Sequence, residues 1–281
     1  MKTFGTTVKK LRKSRSISQE TLAKGLFDRS TLSKIEAGTV SPSRENANEM
    51  IARLNVSLAE FEYIMHDYQP TAKQHILYQL LSLESSMDTD KIEQLLNECL
   101  TVKSDGDIER IIRILRASLL LNKPHGLSKT KKLVQPIWNN YLSKIKILTI
   151  TDIYLLNMIS YAFDYQTNMD IISKIINIID NYYPFLKSIK CTVLINQANF
   201  QVDQQKIFLA QEALKQAITI AQELGQYDKL IICKAELALC KRDYRTTRYF
   251  ADLLEEIGAD YFAQGIRDEI EEFKAHNSNI N

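Results

Sequence analysis

The chain has 281 residues, 45% hydrophobic and 25% charged, longer than a usual single domain, so about two domains with sizeable cores are expected. Only 8 glycines and 5 prolines punctuate it, too few for a many-turned β architecture, and Leu, Ile, Ala, Lys, Glu and Gln dominate, so the fold class expected is all-α. The formal charge of +2 is unevenly spread: residues 1–44 carry ten Lys or Arg against three acids, a balance of +7 that leaves about −5 on the remainder, a footprint shared by nucleic-acid-binding modules and plain solvated faces.

Five short helices are predicted in the first 65 residues. Phe4 to Lys13 places Val8 and Leu11 on one side, with Lys9, Lys10, Arg12 and Lys13 around the rest. Ser18 then precedes QETLAKGL, which it caps without the acid of a full capping box, and Leu22 and Leu26 supply that helix's buried stripe. Phe27 and Asp28 make a turn, and Asp28, Arg29 or Ser30 caps a third helix that ends at Gly38. The fourth helix follows SPS from about Ser43 to Leu54, and the fifth runs from Ser57 to about Met65.

The third helix, within DRSTLSKIEAG, has only two apolar side chains, Leu32 and Ile35. A helix that buries one narrow stripe and offers Arg29, Ser30, Thr31, Ser33 and Lys34 outward suits a DNA major groove, where short donors and acceptors approach base edges. Gln19 opens the preceding helix, where its amide and free backbone N–H groups suit a phosphate. Arg15 and Arg44, at helix edges, are read as phosphate clamps. The stretch resembles the phage-repressor class of helix-turn-helix domains, with Gln19, Ala23, Ile35, Glu36 and Gly38 at that class's positions and a turn one residue shorter. The resemblance implies that Arg12 in the first helix pairs with Glu36 as a structural element; Lys9, Lys10 and Lys13 serve a solvated face equally well.

Residues 1–66 are therefore expected to be the helix-turn-helix DNA-binding domain, and residues 67–75, around Pro70, the hinge. Residues 76–281 are expected to be a helical-repeat ligand-binding and dimerisation domain. Helices are predicted over about 71–86, 88–101, 107–121, 129–146, 151–165, 168–183, 185–202, 206–224, 227–241, 244–257 and 260–275. LNMISYAFDYQ (156–166) matches INQANFQVDQQ (195–205) at a shift of 39, Asp243 falls 40 beyond Asp203, and Gly225 and Gly258 repeat at 33. Such periods suit a tetratricopeptide-like solenoid.

Asn157 and Asn196 recur at equivalent places, and an amide both donates to and accepts from an extended backbone. With Tyr154, Tyr161, Asn199 and Phe200 within a helical turn, they form a candidate site for a short hydrophobic peptide. The same residues are open to a plainer reading, with the amides satisfying nearby carbonyls and the aromatics in the core.

The combination resembles the Rgg/GadR/MutR regulators of Gram-positive bacteria, within the peptide-pheromone receptors that include the PlcR type. QETLAKGLFDRSTLSKIEAG is similar to both, and VSPS after it leans towards PlcR. The resemblance implies quorum sensing: a homodimeric transcription factor on approximately palindromic double-stranded DNA, with inner-wall asparagines holding the pheromone backbone. A ligand-independent dimeric repressor and a helical-repeat protein-binding adaptor are the alternatives.

Other classes find little support. His66, His75, His125 and His276 lack HExxH spacing, and neither a GxxxxGK loop nor a GxSxG elbow occurs, so no enzyme, cofactor or metal is expected. Cys99, Cys191, Cys233 and Cys240 lack CxxC spacing and are expected to be buried thiols. With no apolar run long enough to cross a bilayer, and with MKTFGTTVKKLRKS carrying charges where a secretory signal would have its apolar core, the location expected is cytoplasmic, away from membranes.

Overall fold

The structure, a computed structural model, describes residues 3–83, 89–103, 105–121 and 126–278, and every regular element among them is helical. The chain divides into two compact units, Met1–Ser82 and Leu83–Asn281.

The first unit contains α1 (Phe4–Ser14), α2 (Gln19–Ala23), α3 (Arg29–Glu36), α4 (Arg44–Arg53), α5 (Leu58–Met65) and α6 (Ala72–Leu81). Thr3 opens α1 with a capping box, and the hydroxyls of Ser18, Ser43 and Ser57 accept the backbone N–H three residues on, starting α2, α4 and α5. Val8, Leu11, Leu22, Leu32, Ile35, Met50, Leu54 and Phe61 form the core.

Two expectations need correction here. The second helix stops at Ala23, because Lys24 leaves helical geometry and Gly25 takes φ +78°, which glycine adopts without a Cβ penalty. Leu26 is consequently half-buried beside Phe27 at the core's edge instead of continuing the stripe. Second, Pro70 is followed by Thr71, whose capping box with Gln74 starts α6, and Ile76 and Leu80 are buried. The first compact unit thereby runs through α6 to Ser82, past the hinge expected at 67–75. Positions 84–86 of the helix expected over 71–86, position 88 of the next, and His125 lie outside the described residues.

The second unit continues with α7 (Thr89–Thr101), α8 (Gly106–Leu121), α9 (Gly126–Ile137), α10 (Ile150–Ile159), α11 (Tyr165–Tyr182), α12 (Lys187–Asp203), α13 (Ile207–Leu224), α14 (Tyr227–Cys240), α15 (Tyr244–Glu256) and α16 (Asp260–Ser278). The single helix expected over 129–146 is instead α9 followed by a π turn, Trp138–Leu142. Pro136 lies inside α9, where its missing N–H and its ring loosen the ladder. The helix expected over 151–165 likewise breaks after Ile159 into a 3-10 turn, Ser160–Ala162. Phe163 is extended, and Asp164 accepts the Thr167 N–H to cap α11.

From α12 to α16 each helix packs on the next, and α12–α14 and α14–α16 also touch, so alternate helices share a layer. This is a tetratricopeptide-like helical-repeat solenoid. Its close packing comes from small residues: Ala210, Ala213, Ala217 and Ala221 line α13 and meet Cys191 and Ala198 of α12 and Cys233 and Cys240 of α14. All four cysteines are free and buried. No described helix is long and apolar enough to cross a membrane.

Candidate DNA-reading helix and ligand-binding layer

α3 is held from below. Leu32 is 0% and Ile35 2% exposed, while Arg29, Ser30, Ser33 and Lys34 are exposed and Thr31 is half-buried. α1 crosses the end of α3 so closely that a Cβ on Gly5 would lie 1.9 Å from the Ile35 carbonyl oxygen. Arg12 donates to Glu36 through Nε at 2.6 Å and Nη2 at 3.0 Å, and through Nη1 to the Ile17 carbonyl at 2.8 Å. Both side chains of the pair are nearly enclosed. Burial pushes the Glu36 carboxyl up, but hydrogen bonds from Arg12 and Gln19 and the Arg12 charge outweigh it and hold it below the usual carboxylate range.

Gln19 belongs to the same network, donating through Nε2 to Glu36 Oε2 at 2.9 Å and accepting from Arg29 Nε at 3.4 Å. Its side chain thus ties the start of α2 to both ends of α3. Arg53 of α4 donates to the carbonyls of Leu22 at 3.1 Å and Lys24 at 2.6 Å, clamping the turn between α2 and α3. Neither Gly5 nor Arg53 stands out in the sequence, because a close approach and a carbonyl clamp leave no spacing signature. Arg15 follows α1 and Arg44 opens α4; both are exposed.

In the second unit Asn157 of α10 and Asn196 of α12 meet, with Asn196 Nδ2 donating to Asn157 Oδ1 at 3.2 Å. The Tyr161 hydroxyl, in the 3-10 turn, donates to the Asn196 carbonyl at 3.0 Å. Its ring stands edge-on to Phe200 at 5.8 Å, and Phe200 stacks on Tyr165 at 6.2 Å. Phe200 is 6% exposed and mainly core, whereas Tyr154, Asn157, Tyr161, Asn196 and Asn199 are half-buried. Burial raises the phenol pKa of Tyr154 and of Tyr161, so both stay neutral hydrogen-bonding groups.

Asn199 hydrogen-bonds Glu236 of α14, a residue 8% exposed whose Oε2 has no hydrogen-bond partner among the described residues. Glu236 in turn feels Glu269 of α16. Sequence reasoning missed both carboxylates, although the signal was present. The 40-residue step from Asp203 to Asp243 carries Asn196 onto Glu236, and the 33-residue step from Gly225 to Gly258 carries Glu236 onto Glu269.

Residues 8–61 match the helix-turn-helix family model. The first unit carries a helix-turn-helix domain. Its two central helices are α2 and α3, with α3 in the recognition position. No curated protein gives a significant match. Among solved structures, the chain is similar to a protein of Listeria monocytogenes EGD-e assigned as a transcriptional regulator, at 17% identity and TM-score 0.72 over 98% of both chains. It is similar to Bacillus thuringiensis PlcR in complex with the peptide PapR7 and DNA, at 18% identity and TM-score 0.64, covering 94% of this chain and 99% of PlcR. The SHP pheromone receptor Rgg2 of Streptococcus dysgalactiae follows at 14% identity and TM-score 0.62, covering 96% of this chain and 99% of that one. These similarities establish a shared fold for the helix-turn-helix and the repeats that follow it.

Proposed function

We propose that the chain is a cytoplasmic dimeric transcriptional regulator that reads an approximately palindromic DNA operator with α3 and answers to a short hydrophobic peptide. Residues 1–66 bind DNA, and the helical repeats of the second compact unit bind the peptide and dimerise. Arg29, Ser30, Thr31, Ser33 and Lys34 face base edges, while Arg15, Gln19 and Arg44 contact phosphates. Asn157 and Asn196 hold the peptide backbone, with Asn199, Tyr154, Tyr161 and the edge of Phe200 beside them.

The observation that carries this reading is the construction of α3, two buried aliphatic residues beneath a polar face braced by the Arg12–Glu36–Gln19 network. The PlcR complex with peptide and DNA, and the complex of ComR from S. thermophilus with DNA and its signalling peptide, which shares the fold at TM-score 0.59 and 13% identity, support the peptide half. Dimerisation places two α3 helices about one DNA turn or a multiple apart. The peptide acts by binding one arrangement of the dimer more tightly than another.

Electrophoretic mobility with random genomic fragments, paired with native mass spectrometry after growth in culture medium, tests both halves. Salt-sensitive DNA binding by a dimer that carries a small peptide is the expected result. Without DNA binding, the chain is a protein-binding adaptor; DNA binding with no peptide retained makes it a ligand-independent repressor.

A further inference from the structure

Asn157 of α10, Asn196 of α12, Glu236 of α14 and Glu269 of α16 follow one another at steps of 39, 40 and 33 residues, and α12, α14 and α16 share a layer. The first two are amides bonded to each other; the last two are carboxylates. Glu236 is nine-tenths buried, with an oxygen that no described residue satisfies. Beyond it Glu269 is half-buried, and Glu272, Asp203 and Asp268 place negative charge on it. Desolvation and this like-charge neighbourhood push Glu269 up to about 7 and Glu236 well above the usual carboxylate range. Like charge and burial both oppose ionisation of a carboxylate, and a cation brought beside it would favour the charged form. The amide pair suits a peptide backbone, and the acid pair one helix further along suits a positive group on the same ligand.

We propose that Glu236 and Glu269 form a cation-recognising subsite at one end of the peptide site, selecting ligands with an ammonium or guanidinium group. The inference rests on the peptide-receptor reading and adds a charge requirement to it. The cation enters beside the half-buried Glu269 and supplies the missing partner for Glu236 Oε2, while Asn199 keeps its hydrogen bond to Glu236. The group comes from the ligand's amino terminus or from a Lys or Arg side chain.

Four synthetic libraries of hydrophobic heptapeptides separate these sources. The parent carries a free amino terminus and one lysine; in the others the terminus is acetylated, the lysine is replaced by norleucine, or both. Retention is read by native mass spectrometry on the full-length wild type, Glu236→Gln, Glu269→Gln and the double variant Asn157→Ala/Asn196→Ala, with thermal melts of each to establish folding. Wild type is expected to favour the parent over the doubly neutral library by about tenfold or more, with the singly blocked library that loses retention naming the source. Either glutamine variant, one buried and one half-buried, should abolish that preference while still retaining neutral peptides; the asparagine variant should lose all four libraries. Equal retention of charged and neutral libraries by wild type, or a preference unchanged in both folded glutamine variants, overturns the charged subsite and leaves peptide binding standing. Retention of no library by wild type overturns both.

Discussion

At the residue scale, the division of labour on α3 is steric. Leu32 and Ile35 are enclosed, so Ser30 and Lys34, both exposed on the same helix, are free to reach base edges. Ser30→Ala and Lys34→Ala should each relax sequence preference by about one base contact, ~1–3 kcal/mol of discrimination, measurable by anisotropy with single-base operator variants. An unchanged preference removes that residue from readout. In the repeats, Asn157 and Asn196 hydrogen-bond each other, so replacing only one leaves the other's amide unpaired as well. Asn157→Ala with Asn196→Ala should abolish the peptide response in a reporter assay and leave basal DNA affinity intact; a retained response contradicts their role.

Among the elements of the first unit, α1 and α3 meet backbone to backbone. A Cβ on Gly5 meets backbone, the Ile35 carbonyl and Glu36 Cα, which cannot swing aside as a side chain can. Gly5→Ala should therefore destabilise the first unit by about 1–3 kcal/mol or more, seen as a lower denaturation midpoint for that unit; an unchanged midpoint would mean that α1 and α3 can separate at little cost. Sequence patterns exposed the helix-turn-helix well, because Ser18, Leu22, Leu32, Ile35 and Gly38 each have a local reason to sit where they do. They missed the end of α2 at Ala23, where Gly25 with its positive φ overrides a helical-looking run. The π turn after Pro136 and the 3-10 turn at Ser160–Ala162 were equally hidden, since tertiary packing tolerates interruptions that periodicity reads straight through. The asparagine pairing was legible as a 39-residue repeat; the acid pair was passed over because its steps, 40 and 33, were present in the sequence but do not form one constant period.

For the whole molecule, pH should act on the second unit through the raised carboxyls. Glu269 is pushed from its ordinary 4.5 to about 7 by burial and neighbouring acids, so between those values the folded state holds a proton that the unfolded chain has released. Its stabilising contribution is full below about pH 4.5 and is lost as pH rises through about 7, on the order of 1–3 kcal/mol. Trp138 is the only tryptophan and packs on Phe163, so its fluorescence reports this unit's unfolding. The midpoint should fall between pH 5 and 8, and Glu269→Gln should flatten the decline; parallel profiles would contradict the shift. The lowered carboxyl of Glu36 acts in the opposite sense and at lower pH: its contribution is present above the ordinary value of 4.5 and disappears as pH falls through its depressed folded value.

Regulation by this chain requires α3 to enter a duplex groove, and guanine N7 methylation interference on an operator selected from genomic DNA tests this most directly, because N7 lies in the major groove. The expected result is interference in two symmetric half-sites about one turn or a multiple apart, with one position per half-site losing its effect in Lys34→Ala. Tight, selective binding with no major-groove interference, or a pattern unchanged by substitutions at Ser30 and Lys34, would contradict it.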